Sequence, residues 1–136
     1  MIVKTKNSMQ DELTKAKGVG SSKSGTDHWL GQHVSSVALI PLVLYVLISF
    51  LIGVVFQGGD YATARAWVHA PWNGLALILL IGTAFFHGAN GMQSGIVEDY
   101  IHHPGRNLFG FLAIKFLAVT LAAVGVLAVL KIMLGS

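Results

Sequence analysis

His87 lies inside an apolar run, and an imidazole surrounded by hydrocarbon is costly unless something binds it, which makes it a functional-site candidate by default. The stretch from His87 to Tyr100 reads HGANGMQSGIVEDY: a histidine, then glycines, then an acidic-aromatic pair. Neutral imidazole is a good ligand for haem iron, and two imidazoles on one iron give a closed site suited to electron transfer rather than oxygen chemistry. On a helix, Gly91 and Gly95 lie one and two turns beyond His87, Gly88 is adjacent, and Thr83 and Ala84 lie one turn before, so this face carries almost no side-chain bulk. A flat macrocycle fits against such a backbone. The same small residues also suit close helix packing, with His87 hydrogen-bonding across the interface. Because His87 is the one histidine at mid-span depth, a bis-imidazole iron needs its second ligand from another chain.

The elements that must position this histidine follow from composition. Of 136 residues, 54% are hydrophobic and 11% charged, with a mean hydropathy of +0.67, which excludes a water-soluble single-core domain. The formal charge is +3, but the basic residues sit mostly in the N-terminal tail and form no basic face, which argues against nucleic acid as a partner. Without cysteine the chain has no disulfides, no thiolate-ligated iron-sulfur cluster and no cysteine nucleophile. Electrons, if handled here, pass through a cofactor held by histidine or by a partner.

The pattern predicts an all-α integral membrane protein with a polar tail over residues 1–33 and a three-helix membrane unit over 34–136. The tail carries Lys4, Lys6, Lys15, Lys17 and Lys23 among Gly, Ser and Thr, too polar for a core. It lacks the short apolar segment and cleavage site of a signal peptide and the arginines of many transit peptides, which favours a bacterial cytoplasmic (inner) membrane over a mitochondrial one. Spans are predicted over residues 37–56, 73–97 and 108–134, each long enough for a hydrocarbon core about 30 Å thick at about 1.5 Å per residue. Pro41 interrupts the first, with Ser35 and Ser36 as candidates to compensate the lost hydrogen bond or to face a partner. Trp67 and Trp72, in the connection after the first span, suit the headgroup level. Asn107 is the expected N-cap of the third span. Lys115 and Lys131 are close enough to its ends to snorkel. The tail lysines and Arg106 outweigh Arg65 and Lys131, so the positive-inside rule places the N-terminus in the cytoplasm and the C-terminus in the periplasm.

The order of three spans, the segment DHWLGQHVSSVALIPL opening the first and HGANGMQSGIVEDYIHH closing the second resemble the smaller hydrophobic membrane anchor of succinate dehydrogenase, respiratory complex II. The likeness covers about residues 27 to 134. It implies that His87 is an axial ligand of haem b, hence the metal-binding residue for the haem iron, and that Tyr100 and Asp99 contribute to ubiquinone binding. It also implies a second cytochrome b-type anchor subunit that supplies the other axial histidine and packs with these helices into a haem-binding bundle. An iron-sulfur subunit and, through it, a flavoprotein subunit would carry the iron-sulfur clusters and FAD. This chain, embedded in membrane lipid, would then pass electrons from succinate oxidation, a step of the tricarboxylic acid cycle, to quinone without touching succinate, and would count as part of an enzyme through the complex, as a subunit that does not bind succinate. The same features fit the anchor of a quinol:fumarate reductase, and a haem-free structural or assembly subunit is the alternative from another class.

Two departures from the family pattern bear on the site. His87 and Tyr100 stand one residue further apart than is usual, with Gly95 the candidate insertion, and at about 100° per residue one insertion turns everything beyond it by roughly a quarter turn or more. A π-bulge near Ser94 and Gly95 absorbs that residue; otherwise Tyr100 points elsewhere. His33 stands where an arginine is common, close to the haem propionates, and imidazole is shorter than guanidinium and lacks its permanent charge. The alternative for His33 is an interfacial histidine with no ligand. His102 and His103 are candidate proton relays to quinone, set against the ordinary reading of solvated loop histidines.

Overall fold

Long apolar runs with no polar face can satisfy their backbone inside a bilayer only as helices, and helices are what the chain forms. The computed structural model describes residues 23–98 and 104–135; no strand occurs among them. The chain divides into two compact units, Met1–Gly31 and Gln32–Ser136. Of the first, the described residues belong to the opening turns of helix α1, Lys23–Gly53. That helix starts well before the apolar run, so part of the polar tail is helical rather than irregular. Pro41 lies within it. Ser35 and Ser36 do not serve the carbonyl that Pro41 leaves free, because both hydroxyls donate instead to the Gln32 carbonyl, at 3.0 and 2.8 Å.

After Gly53 the chain passes through a short 3₁₀ turn, Val55–Gln57, into Gly58 and Gly59, which have φ of +110° and +67°. Those left-handed conformations are what glycine supplies without steric cost, and they let the chain reverse. Asp60 then caps helix α2, Tyr61–His69, its carboxylate accepting from the Thr63 backbone N–H at 2.7 Å. Ala70 is extended, as the residue before a proline tends to be, and Pro71 opens helix α3, Pro71–Met92. Helix α3 continues as a π-helical segment, Gln93–Glu98. Helix α4 is Pro104–Met133. Asn107 therefore lies inside α4 rather than at its N-cap; Pro104, suited to a first turn by its fixed φ, stands at the start.

Three stretches are long and apolar enough to cross a membrane, Trp29–Gln57, Pro71–Gly95 and Gly105–Met133. The first begins earlier than the predicted boundary and the others lie within a few residues of theirs. Small residues bring α3 and α4 together, as in membrane helix pairs generally. Gly74 leaves room for the Met133 side chain, and a Cβ on Gly125 would meet Ile81 at 3.3 Å. Large apolar side chains such as Phe86, Phe109, Phe116 and Leu127 remain exposed, as expected of faces that meet lipid or another membrane subunit.

Trp67 is not a belt residue. It is buried, packs edge-on against Phe50 with ring centroids 5.3 Å apart, and lies against Gly53, where a Cβ would come within 2.7 Å of its ring. Asn73 ties this corner together: its amide N–H donates to the Trp67 carbonyl and its amide oxygen accepts from the Tyr45 hydroxyl, each at 2.9 Å. Trp72, by contrast, is 76% exposed.

The Asp60 cap carries a pH dependence. The Thr63 hydroxyl and, after it, the Thr63 backbone N–H hold the Asp60 carboxyl below its ordinary value. A lowered folded-state pKa means that the cap contributes above the ordinary carboxylate range and is lost as pH falls through the folded value. Amide exchange at Thr63, corrected for intrinsic rates, is expected to accelerate in acid. Asp60→Asn should keep the cap without the acid dependence, and Asp60→Ala should exchange fast throughout. Unchanged protection in Asp60→Ala would remove the capping role.

A candidate haem-ligand site on the second span

His87 sits half-buried on α3 and faces α1. Its Nδ1 is 3.0 Å from the Ser35 hydroxyl oxygen and 3.4 Å from that of Ser36; its Nε2 is 3.4 Å from the amide nitrogen of Gln32. Ser35 is buried, with 5% of its surface exposed. Gln32, Ser35 and Ser36 share one face of α1 because they are spaced i, i+3 and i+4. The Gln32 side chain reaches over Gly91, where a Cβ would lie 3.3 Å from its amide nitrogen. Gly91 thus accommodates this amide from the same chain, whereas Gly88 and Gly95 have nothing within 4 Å of the Cβ they lack. The bare face expected around His87 is therefore partly filled.

The two ring nitrogens are unequally provided for. On the Nδ1 edge stand two hydroxyls that can each donate to the Gln32 carbonyl and accept from the ring. On the Nε2 edge stands one long contact to a flexible amide, and the other end of that amide, Gln32 Oε1, is buried without a hydrogen-bond partner among the described residues. An unpaired buried carbonyl oxygen is costly, so the Nε2 corner is the loosely satisfied side of the site. A ligand that takes Nε2 and displaces the amide has little to break. Among the described residues no group of three or more His, Cys, Asp or Glu stands together to hold a metal ion.

Beyond His87 the regular helical ladder changes. The Gln93 N–H is shared between the carbonyls of Ala89 and Asn90, and the π-helical segment follows directly, containing Ser94 and Gly95. The Ser94 hydroxyl donates to the Asn90 carbonyl at 3.1 Å, supplying a bond where the backbone pattern shifts. The π-helical segment stands where a π-bulge near Ser94 and Gly95 was expected, a local geometry that recurs at functional sites.

The model of the transmembrane subunit of succinate dehydrogenase and fumarate reductase matches residues 7–127 of this chain. The chain belongs to that family. Relatives include the succinate dehydrogenase hydrophobic membrane anchor subunit of Rickettsia conorii, 32% identical over 82% of this chain and 87% of that protein. The protein of the same name in Rickettsia bellii is 33% identical over 66% of this chain and 69% of its own length. That of Rickettsia typhi is 32% identical over 82% and 87%. No solved structure matches significantly. Family membership agrees with the all-α, three-span architecture.

Of the other sequence-derived candidates, Tyr100, Asp99, His102 and His103 lie outside the described residues. His33 follows Gln32 in the sequence and lies exposed on α1. Lys115 stands over the Phe111 ring, its Nζ 4.7 Å from the centroid, so its side chain runs back towards the start of α4. A cleft of about 330 Å³ between α3 and α4, lined by Ala84, Phe85, Gly88, Ala89, Ile114 and Leu121 among others, is apolar and offers no ligand for a metal or a quinone head group. Gln32 was the residue not singled out from sequence, although its spacing to Ser35 and Ser36 makes a polar stripe on an otherwise apolar helix.

Proposed function

We propose that this chain is the smaller membrane anchor of a succinate:ubiquinone oxidoreductase, which co-ligates haem b through His87 and forms part of the quinone-reduction site through Tyr100 and Asp99. The observation that carries the reading is the His87 site: an imidazole on a membrane span with Nδ1 held by hydroxyls and Nε2 facing a displaceable amide. Family membership supports the enzyme class. A second anchor subunit would supply the other axial imidazole, and the iron-sulfur subunit, with the flavoprotein behind it, would dock on the cytoplasmic face indicated by the basic tail.

Haem b, when bound, supplies a one-electron store close to the quinone pocket. The work of this chain's own residues is positional. His87 would offer Nε2 to the iron on the side where the Gln32 amide now stands. His33 would meet a propionate where an arginine is usual, as a shorter donor without the bidentate fork. Quinone reduction takes up two electrons and two protons, so its site must lie near water; the end of the second span meets that need. There Tyr100 would donate a hydrogen bond to a quinone carbonyl, and Asp99 would orient the phenol or pass protons from the cytoplasm. The π-turn between His87 and Tyr100 would compensate the additional residue and restore the register of the two positions.

Purified with its partner subunits, the complex is expected to reduce a ubiquinone analogue at the expense of succinate, and faster than it reduces fumarate with quinol. A complex that passes electrons from succinate to a soluble dye at full rate, yet gives none to quinone, would overturn the reading. Faster fumarate reduction would assign the reverse direction to the same anchor.

A further inference from the structure

We infer that Ser35 and Ser36 are positioning residues for His87: by accepting its Nδ1–H they fix the ring's tautomer and plane and hold the reduction potential of the haem iron it ligates. The inference rests on the reading of His87 as an axial ligand. Once a metal takes Nε2, the ring's one proton must be on Nδ1, and the acceptors within hydrogen-bond distance are these two hydroxyl oxygens, at 3.0 and 3.4 Å. Neither serine is free to reverse the bond at no cost. Each donates its proton to the Gln32 carbonyl, three and four residues back along the helix, which leaves the oxygen lone pairs to accept from the ring. Ser35 is also buried, so its oxygen has no competing water.

Metal-bound histidines commonly give their second N–H to a carboxylate, a backbone carbonyl or water, and that partner sets both orientation and ligand basicity. A neutral hydroxyl is a weaker acceptor than a carboxylate. It stabilises the oxidised iron less, and its loss removes what stabilisation there is, so potential should rise when the serines are deleted. Two adjacent hydroxyls on one nitrogen make the bond tolerant of a single loss, which explains why both face the same edge.

The test uses the assembled complex carrying Ser35→Ala, Ser36→Ala, the double substitution, and Ser35→Thr, with three readouts: haem content, the low-spin electron paramagnetic resonance spectrum of the oxidised haem, and its midpoint potential. The double alanine variant is expected to shift the oxidised-reduced equilibrium about tenfold towards the reduced form, about 59 mV for a one-electron couple. Its low-spin spectrum should change shape as the ring plane is released. The single variants should shift less, and Ser35→Thr, which keeps the hydroxyl, should match the parent protein. If the double variant loses haem while Ser35→Thr retains it, the positioning role is equally supported. A double variant with normal haem content and an unchanged spectrum and potential overturns the inference and leaves His87 as a ligand intact. A parent complex without haem b instead refutes the ligand reading on which it rests.

Discussion

Replacing His87 with alanine is expected to remove haem b from the assembled complex while leaving the three helices in place. Alanine is the best helix former, so α3 has no local reason to break. Ser35 and Ser36 keep their hydrogen bonds to the Gln32 carbonyl and lose only the imidazole. If His87 were solely an interhelical hydrogen-bond partner, its loss would cost about 0.6 kcal/mol, up to about 1.7, as for membrane side-chain hydrogen bonds generally, and no spectrum would change. An axial ligand is a different matter. Disturbing an outer-shell partner alone typically lowers metal affinity about 10- to 100-fold, and deleting the ligating group itself should exceed that. Haem content per complex therefore separates the two readings. Near-complete haem loss is the expected outcome; a small stability change with haem retained would leave His87 as a packing residue.

Replacing Tyr100 with phenylalanine should slow quinone reduction about 100-fold, the low end of what a positioned proton donor contributes, without slowing succinate oxidation by a soluble dye. The substitution removes one hydroxyl and keeps the ring. Dye reduction draws electrons before the membrane site and serves as an internal control for assembly. If both rates fall together, the substitution has damaged the complex and Asp99→Asn, measured the same way, discriminates a site effect from a folding effect. Unchanged quinone reduction in both variants would take these residues out of the quinone site.

The membrane class and the number of spans were legible because hydrocarbon length and the absence of charge leave few alternatives. Boundaries were less so. Helix α1 reaches back to Lys23 through Gly25 and Gly31, since a helix continues through polar and weak helix-forming residues once its apolar part is anchored and no proline stops it. Trp67 looked like a headgroup residue because tryptophan is common there, yet Gly53 provides a flat surface on which its ring is buried. Asn107 had the chemistry of an N-cap, but Pro104 offered an earlier start.

At the site, His87 and the π-turn were both visible in the sequence, one as a titratable group in an apolar run and the other as a single residue too many before Tyr100. The partners of His87 were not. Their contact depends on how α1 and α3 are rotated about their axes, which a nearly uniform apolar pattern does not specify. The polar spacing of Gln32, Ser35 and Ser36 was the available signal, and it acquires meaning only once His87 is found opposite.

The most direct measurement of the central claim is the reduced-minus-oxidised optical spectrum of the purified complex, combined with its haem content. One b-type haem for each copy of this chain, reducible by succinate, is the expected result. A complex fully active from succinate to quinone with no b-type absorption band would contradict it.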